Sequence, residues 1–288
     1  MRKPAWLKTK LPGRGDFTQV RETLSELGLN TVCHEARCPN LGRCWARGTA
    51  TVMILGEVCT RSCGFCSVKT GMPLPLDPDE PRRVAAAAKR LGLKYLVVTS
   101  VDRDDLDDRG ASHFARTIDE VKKQGVMIEV LTPDLDGKRE LIKLVVDENP
   151  DVFSHNLETV RRLTPKVRDQ RSSYEKSLST LRIAREEGED LIMKTGIMVG
   201  LGENEDEVIE TMADAKEAGV SIFTIGQYLQ PTSDHLEVVE YVKPVYFNRF
   251  RQIGNELDIR VIAGPLVRSS YLAETIYEEL RKRGGKRA

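Results

Sequence analysis

The sequence predicts an α/β fold built from repeated β/α units. From about residue 51 onward, apolar runs of strand length alternate with helix-like segments, and glycines such as Gly92 and Gly125 end the helices. Strands that alternate with helices pair in parallel through right-handed crossovers, in a barrel or a doubly wound sheet. At 288 residues with 40% hydrophobic positions, the chain is long enough to bury the core of one main domain.

Six strand and helix pairs, followed by a last strand, make up residues 51–264. The first three pairs are TVMILGEV with Pro81–Gly92, YLVVTS with Ala111–Gly125, and VMIEVLTP with Lys138–Glu148. The next three are DVFSHNL with Tyr174–Gly188, LIMKTGIMVGLG with Asn204–Gly219, and SIFTIGQYLQ with Val245–Leu257, before the last strand RVIAG. Residues 1–50 do not fit this pattern and are predicted to be an extension, and residues 265–288 form a C-terminal segment.

Polar side chains follow several of the predicted strands. They are Thr99, Ser100, Asp102, His155, Asn156, Gln227 and Gln230. The carboxyl ends of the strands of a barrel share one face, which is where active sites lie. The sequence therefore predicts one shared site on that face.

Charge and hydropathy exclude several classes of partner. Lysine plus arginine total 44 and aspartate plus glutamate total 44, so the formal net charge is zero. The whole molecule therefore does not carry the excess positive charge that is typical of nucleic-acid-binding proteins. No run approaches the ~20 apolar residues of a membrane helix, so we expect a cytoplasmic protein without a membrane partner. In an intracellular chain of this size, clustered cysteines more often bind metal or do redox chemistry than form disulfides.

The stretch CTRSCGFC places Cys59, Cys63 and Cys66, the barrel triplet, directly after the first strand. These short spacings let one loop bind three irons of a four-iron cluster and leave the fourth iron without a protein ligand. A zinc knuckle or a buried thiol cluster is the alternative, although zinc cysteines normally come as two separated Cys-x-x-Cys units. We therefore expect an iron–sulfur cluster whose open iron can bind a small molecule.

The stretch CHEARCPNLGRC places Cys33, Cys38 and Cys44, the extension triplet, outside the β/α units. A structural zinc site with His34 as the fourth ligand is one interpretation, but adjacent residues such as Cys33 and His34 rarely bind one tetrahedral ion well. A second iron–sulfur cluster is the interpretation that we favour.

The two cysteine spacings together resemble those of the lipoyl synthase family, within the radical S-adenosylmethionine superfamily. The similarity continues through KPAWLK (3–8), VVTSVDRDDLDDRGA (97–111), VFSHNLETV (152–160), KTGIMVGLGE (194–203), TIGQYLQPT (224–232) and AGPLVRSSY (263–271). This resemblance covers nearly the full chain. It implies a partial TIM-type (β/α)6 barrel with an N-terminal cluster-bearing extension and a C-terminal segment.

The resemblance also implies the reaction and its participants. The expected activity is that of a sulfurtransferase, which inserts two sulfur atoms at C6 and C8 of an octanoyl chain on a carrier-protein lysine and so forms the lipoyl cofactor. The expected cofactors are two [4Fe–4S] clusters, one of which donates the sulfur, and S-adenosylmethionine, which is cleaved to methionine and 5′-deoxyadenosine. The expected partners are octanoylated lipoyl domains of 2-oxoacid dehydrogenases, the H protein of glycine cleavage, and a reducing electron donor.

Cluster ligands follow from the same resemblance. The barrel triplet is expected to hold the cluster that binds S-adenosylmethionine, and the extension triplet is expected to hold the auxiliary cluster with a serine from an Arg-Ser-Ser-Tyr motif. That tetrapeptide occurs at Arg171–Tyr174, where its serines are predicted to cap a helix, and at Arg268–Tyr271, where the context matches the family. Ser270 is the expected ligand, and Ser269 is the nearby alternative.

Residues expected to contact S-adenosylmethionine complete the predicted site. They are Ser100, His155, Asn156, Glu158 and Gly200. Gly200 lies in GIMVGLGENEDE, which lacks G-x-G-x-x-G and carries acidic residues at the next helix start, so a dinucleotide site is excluded. For His155, a structural role is the alternative interpretation.

Two other functions stay open for the whole chain. One is a two-cluster electron carrier without catalysis, and the other is another radical enzyme with an auxiliary cluster that acts on a free small molecule.

Overall fold

The computed structural model describes residues 3–8, 16–35, 38–45 and 51–284. Its strands are β1 (Asn30–Thr31), β2 (Thr51–Ile54), β3 (Val58–Cys59), β4 (Lys69–Thr70), β5 (Tyr95–Ser100), β6 (Met127–Leu131), β7 (Val152–Ser154), β8 (Ile192–Val199), β9 (Ile222–Gln227) and β10 (Arg260–Gly264). β3 and β4 pair with each other in parallel, and the others form one eight-stranded sheet.

The order of the strands in the large sheet shows how the chain winds. The order is β1-β2-β5-β6-β7-β8-β9-β10, with β1 antiparallel to β2 and every later neighbour parallel. A doubly wound sheet would reverse its strand order at a switch point, whereas this order never reverses. β1 and β10 are the two edges, so the described strands form an open barrel. The predicted partial (β/α)6 barrel is therefore confirmed.

Helices alternate with these strands as predicted. They are α1 (Asp16–Glu26), α2 (Val32–Glu35), α3 (Leu41–Trp45), α4 (Glu80–Arg90), α5 (Ala111–Lys122), α6 (Arg139–Val146), α7 (Thr164–Val167), α8 (Tyr174–Glu187), α9 (Glu205–Glu217), α10 (Pro244–Glu256) and α11 (Ala273–Gly284). α4, α5, α6, α8, α9 and α10 complete the six β/α units. α9 shows why such a helix begins where it does, because Asn204 and Glu207 form a reciprocal capping box. Within the described ranges, no helix has the length and apolar character needed to span a bilayer.

The two faces of the sheet pack against different helices. Leu96 of β5 lies in the main core with Phe114 of α5. Its neighbour Tyr95 lies in a second apolar cluster with Tyr277 of α11, and the centres of the two rings are 5.5 Å apart. Because successive side chains of a strand point to opposite faces, α5 packs outside the barrel and α11 packs inside it. α11 therefore fills the interior near the amino ends of the strands.

The extension contacts both the barrel and the C-terminal segment. β1 extends the sheet through the register Asn30↔Met53 and Thr31↔Val52. The side-chain amide of Asn40 donates a hydrogen bond to the carbonyl oxygen of Leu266 at 2.6 Å. Parts of the proposed regions 1–50 and 265–288 lie outside the described residues, namely 1–2, 9–15, 36–37, 46–50 and 285–288. The boundaries of these regions stay a prediction.

Candidate active site

A cavity of about 550 Å³ lies at the carboxyl ends of the barrel strands. Its wall includes the polar residues that were predicted to share one face, which are Thr99, Ser100, Asp102, His155, Asn156, Gln227 and Gln230. It also includes Cys59, Cys63 and Cys66. These residues therefore share one face as predicted, and the barrel triplet lies on the wall of the same cavity.

Backbone amide groups surround two of the barrel-triplet sulfurs. Sγ of Cys59 accepts hydrogen bonds from the backbone N–H of Asp102 at 3.3 Å and of Arg61 at 3.4 Å. Sγ of Cys63 accepts one from the backbone N–H of Asp169 at 3.3 Å. Hydrogen bonds to sulfur stabilise a thiolate and tune the reduction potential of an iron–sulfur cluster. The loop therefore offers sulfurs already oriented by amide dipoles.

Burial keeps the thiols of the barrel triplet protonated. It raises the pKa of Cys59 to about 11, with a further contribution from Asp102, and the pKa of Cys66 to about 12. It also raises the pKa of Cys63. Since only a thiolate binds metal, iron must displace these protons when it binds.

The donor set of the barrel triplet suits a cluster better than a single ion. Within the described residues, no three side chains of histidine, cysteine, aspartate or glutamate converge as the ligands of one ion do. The thiolates of a four-iron cluster bind separate irons, so their sulfurs need not converge. Three soft sulfur donors on one cavity wall thus fit an iron–sulfur cluster.

Two buried side-chain oxygens on the cavity wall lack a hydrogen-bond partner. They are the hydroxyl oxygen of Ser100 and the side-chain carbonyl oxygen of Asn156. Buried polar atoms in folded proteins almost always have a partner, so an unpartnered one calls for an explanation such as a bound polar ligand. Both residues fit the expectation that they contact a polar cofactor.

Glu158 reaches the cavity from a strained backbone conformation. Its φ is +67°, a left-handed value that is uncommon for a residue with a side chain. Hydrogen bonds on both sides hold it there, because its N–H donates to Gly196 O at 3.0 Å and its C=O accepts from Met198 N at 2.9 Å. Burial raises the pKa of its carboxyl group, and Arg168 opposes that effect. Such strain is typical of functional sites.

His155 lines the cavity, but both of its ring nitrogens already have protein partners. Nδ1 donates to the carbonyl oxygen of Thr132 at 2.9 Å, and Nε2 accepts from the hydroxyl of Ser177 at 2.9 Å. Burial lowers the pKa of His155 to about 4, so the ring is neutral at physiological pH. These contacts favour the structural interpretation of His155 over a cofactor contact.

Gly200 lies outside the lining of the cavity. A Cβ at this position would be 2.1 Å from the Nε2 atom of Gln227 and 2.4 Å from the carbonyl oxygen of Glu240, and φ is +98°. Close packing therefore accounts for this glycine. Gly226 lines the cavity instead, and a Cβ there would be 2.1 Å from the carbonyl oxygen of Val267. The sequence did not predict a role for Gly226, which lets the C-terminal segment cross the end of β9.

The extension triplet lines a second, smaller cavity together with part of the C-terminal segment. Its lining includes Cys33, Cys38, Cys44, Arg268, Ser270 and Tyr271. Ser269 lines the large cavity instead, and Arg268 lines both. Burial raises the pKa of the Cys38 thiol, whereas the charge of Arg268 lowers it. Of the two candidate serines, Ser270 is thus the one beside the extension triplet.

His34 does not share that small cavity. Its side chain is 77% exposed, and Nδ1 lies 3.6 Å from a carboxylate oxygen of Glu35. A ring that points to solvent does not complete a tetrahedral site with Cys33, Cys38 and Cys44. The zinc interpretation that used His34 is therefore not supported.

The serines of the first Arg-Ser-Ser-Tyr copy have different roles. Ser173 caps α8, because its hydroxyl accepts a hydrogen bond from the backbone N–H of Lys176 at 3.1 Å, as predicted. The cap interpretation is wrong for Ser172, whose hydroxyl accepts from Nη1 of Arg61 at 3.2 Å. The reason is tertiary, since the turn before α8 packs against the loop of the barrel triplet.

Arg61 is a buried cation that sequence analysis missed. Its guanidinium forms paired hydrogen bonds with Asp104, at 2.9 and 3.0 Å, and with Asp134, at 2.7 and 2.9 Å. Oδ1 of Asp102 lies 3.2 Å from Nη1 of Arg61. Burial opposes ionisation of Asp134, but Arg61 outweighs it and holds the pKa of Asp134 at about 2. Burial raises the pKa of Asp102 to about 6. No spacing rule links these residues, so only the fold could reveal the network.

The sequence is similar to known proteins along nearly its whole length. Residues 53–215 match the Radical SAM superfamily, and residues 1–38 match the N-terminal domain of lipoyl synthase of that superfamily. A lipoyl synthase of Thermus thermophilus is 53% identical over 285 residues, which cover 98% of this chain and 88% of the relative. A lipoyl synthase of Pyrobaculum arsenaticum is 54% identical over 281 residues, which cover 96% and 95%.

Solved structures share the fold at low sequence identity. The crystal structure of a methylornithine synthase superposes with a TM-score of 0.56 at 13% identity, over 86% of this chain and 81% of that chain. The FeFe-hydrogenase maturase of Carboxydothermus hydrogenoformans gives a TM-score of 0.53 at 15% identity, over 93% and 70%. Identities this low carry information about the fold alone, and they agree with the partial barrel.

Proposed function

We propose that this chain, which belongs to the lipoyl synthase family of the radical S-adenosylmethionine superfamily, uses its two cysteine triplets for two different tasks. It is an enzyme that inserts two sulfur atoms at C6 and C8 of a protein-bound octanoyl-lysine and so forms the lipoyl cofactor. Its cofactors are two [4Fe–4S] clusters and S-adenosylmethionine. When bound, these groups supply the electron, the hydrogen-abstracting radical and the sulfur atoms.

Cys59, Cys63 and Cys66 would hold the cluster that binds S-adenosylmethionine. Three protein thiolates would leave one iron of a four-iron cluster without a protein ligand, and that iron would be free to bind S-adenosylmethionine. Amide N–H groups at Cys59 and Cys63 would stabilise the thiolate charge. The barrel triplet therefore provides the place where the radical is generated.

Polar groups on the same wall would orient S-adenosylmethionine. The unpartnered oxygens of Ser100 and Asn156 can accept hydrogen bonds or, for the hydroxyl, donate one. The carboxylate of Glu158 can pair with a cationic group of the cofactor. Gly200 was also expected to contact the cofactor, but packing against Gln227 accounts for it.

Cys33, Cys38, Cys44 and Ser270 would hold the auxiliary cluster that donates sulfur. A serine oxygen is a hard ligand for a soft cluster, so it should leave iron more readily than a thiolate would. The observation that carries the proposal is the adjacency of the two cavities, because Arg268 lines both and the neighbouring Ser269 and Ser270 line one each. Sulfur would thus be supplied next to the place where the substrate radical forms.

Apolar side chains on the wall of the large cavity would receive the octanoyl chain. Met53, Leu131 and Val267 are among them. Burial of an alkyl chain against such side chains is favourable and keeps water away from the reacting carbon. The cavity wall therefore suits an alkyl substrate that also meets a polar cofactor.

The partners follow from the proposed reaction. An octanoyl-lysine belongs to a carrier protein, so the substrates would be lipoyl domains of 2-oxoacid dehydrogenases and the H protein of glycine cleavage. A reducing protein would supply the electron. We also propose a cytoplasmic location, because a reducing compartment keeps thiol ligands free of disulfides.

An iron count and a product analysis test this proposal, and two further measurements separate it from its alternatives. The protein would be loaded with iron and sulfide under anaerobic conditions, its iron counted, and the product of an octanoyl-lysine peptide analysed by mass. We expect iron for two clusters and a product in which sulfur has replaced hydrogen at two carbons. A two-cluster electron carrier would leave S-adenosylmethionine intact in the presence of dithionite. An enzyme for free small molecules would use free octanoate in preference to the peptide.

A further inference from the structure

A short turn at residues 167–172 forms hydrogen bonds along the loop that carries the barrel triplet. We call it the 167–172 turn. Its last two residues, Arg171 and Ser172, begin the first Arg-Ser-Ser-Tyr copy, which is not expected to supply a cluster ligand. Each of the five consecutive residues Thr60–Gly64 forms a hydrogen bond with this turn. The contacts are Arg171 Nη2 to Thr60 O at 2.6 Å, Arg61 Nη1 to Ser172 Oγ at 3.2 Å, Ser62 N to Asp169 Oδ2 at 2.9 Å, Asp169 N to Cys63 Sγ at 3.3 Å, and Gly64 N to Val167 O at 2.9 Å.

Charged groups connect the turn to the ends of β5 and β6. Arg171 pairs with Asp169 at 2.9 Å and with Asp104 at 3.3 Å. Asp104 also pairs with Arg61, whose side chain is only 3% exposed. Arg61 in turn contacts Asp134 after β6. The loop between Cys59 and Cys63 is thus fixed from the turn on one side and from the strand ends on the other.

We propose that the 167–172 turn is a positioning element that preorders the barrel-triplet loop for its cluster. Without it, the five loop residues would have to become ordered when iron binds, and that entropic cost would weaken binding. Groups that orient metal ligands from behind have large effects on metal affinity for this reason. Each Arg-Ser-Ser-Tyr copy would then act on a different triplet. The second copy would supply Ser270 to the extension triplet, and the first would position the loop of the barrel triplet. The inference rests on the proposed assignment of Cys59, Cys63 and Cys66 as ligands.

Arg171→Gln is the first test, because the Arg171 side chain is 43% exposed and its loss leaves no hole in the core. Arg139→Gln is the matched control, since Arg139 is 51% exposed and also pairs with two carboxylates, Glu186 and Glu187, on outer helices. Asp169→Asn is a second variant that keeps the side-chain shape but weakens the acceptor for Ser62. All three would be made in a Cys33→Ala, Cys38→Ala, Cys44→Ala background, where bound iron reports the barrel triplet alone.

The main readout is the rate at which a ferrous chelator removes iron. We expect Arg171→Gln and Asp169→Asn to speed removal by about 10-fold, and Arg139→Gln to leave it unchanged. In the reciprocal Cys59→Ala, Cys63→Ala, Cys66→Ala background, none of the three should change removal from the extension triplet. In the metal-free protein, alkylation of Cys63 should become faster in Arg171→Gln, because the loop is no longer held.

Two results would overturn the inference. One is that both turn variants lose iron to the chelator, and are alkylated at Cys63, no faster than Arg139→Gln. The other is an equal loss of iron from both triplets, which would indicate general destabilisation rather than positioning. Failure of the proposed function would look different. The unsubstituted chain would carry both clusters but form no lipoyl product, while the turn variants would still lose iron faster than Arg139→Gln.

Discussion

The ammonium nitrogen of Lys194 lies 2.7 Å from Oε1 of Glu129, and both side chains are almost fully buried inside the barrel. Oε2 of Glu129 also accepts a hydrogen bond from the hydroxyl of Tyr95 at 2.8 Å. Removal of one partner from such a pair leaves an uncompensated charge in a poorly solvated place, whereas removal of both does not. The pair therefore makes the barrel sensitive to single substitutions at these positions.

Lys194→Met should lower the free energy of unfolding by about 3–5 kcal/mol, because Glu129 would be left buried and unpaired. Urea denaturation of the metal-free protein measures this. Lys216→Met is the control, since Lys216 is 42% exposed and its pair with Asp258 should contribute less than about 1 kcal/mol. The double variant Lys194→Met, Glu129→Leu should recover part of the loss. A loss in Lys194→Met no larger than in the control would contradict the prediction.

Acid should weaken the fold partly through His155. The unfolded chain takes up a proton on this residue near its ordinary pKa of about 6.5, whereas the folded protein does so only near pH 4, because burial lowers the pKa. Its contribution to stability is therefore complete above about pH 6.5 and is lost as the pH falls toward about 4. Between about pH 7 and about pH 5 the loss should be about 2 kcal/mol, and His155→Gln should flatten the pH dependence by that amount. An unchanged slope in the variant would show that His155 titrates normally.

Cys59→Ala, Cys63→Ala or Cys66→Ala should abolish formation of 5′-deoxyadenosine. The reason is that cleavage of S-adenosylmethionine needs the cluster that these residues are proposed to hold. Chromatography of a dithionite-reduced reaction measures the nucleoside. Normal cleavage of S-adenosylmethionine in any one variant would remove that residue from the ligand set.

Cys33→Ala, Cys38→Ala or Cys44→Ala should spare cleavage of S-adenosylmethionine and stop sulfur insertion. The barrel triplet lines a separate cavity and stays intact, but no sulfur would be available to the substrate radical. The test measures 5′-deoxyadenosine and lipoyl peptide in the same reaction. Lipoyl product from such a variant would mean that the extension cluster is not the sulfur source.

Ser270→Ala should reduce lipoyl formation while cleavage of S-adenosylmethionine continues, whereas Ser269→Ala should affect the auxiliary cluster less. Ser270 lines the small cavity with the extension triplet, and Ser269 faces the large one. Ser270→Cys should hold iron more tightly, because thiolate is the softer ligand, and should stall before sulfur leaves. Full activity in Ser270→Ala together with its loss in Ser269→Ala would reverse the assignment.

The sequence predicted the parts of this protein that depend on local pattern. Strand-length apolar runs and the helix cap at Ser173 depend on residues close together in the chain, and the fold agrees with both. It could not predict contacts between distant segments, such as Arg61 with Asp134 and Ser172, which are 73 and 111 residues away. Ser172 was misinterpreted for that reason, because a helix start predicts a cap and tertiary packing gave it another partner.

The contact between Asn40 and Leu266 has a consequence for the timing of synthesis. These residues are 226 positions apart, so on the ribosome the cysteines of the extension emerge long before the segment that carries Ser270. At synthesis rates of about 5–20 residues per second, the delay is roughly 10–45 s. We expect a nascent chain that ends at residue 264 to load iron at Cys59, Cys63 and Cys66 and to hold it weakly at Cys33, Cys38 and Cys44. Iron delivery to the second triplet would then be a late event, completed only after the segment that carries Ser270 has left the ribosome.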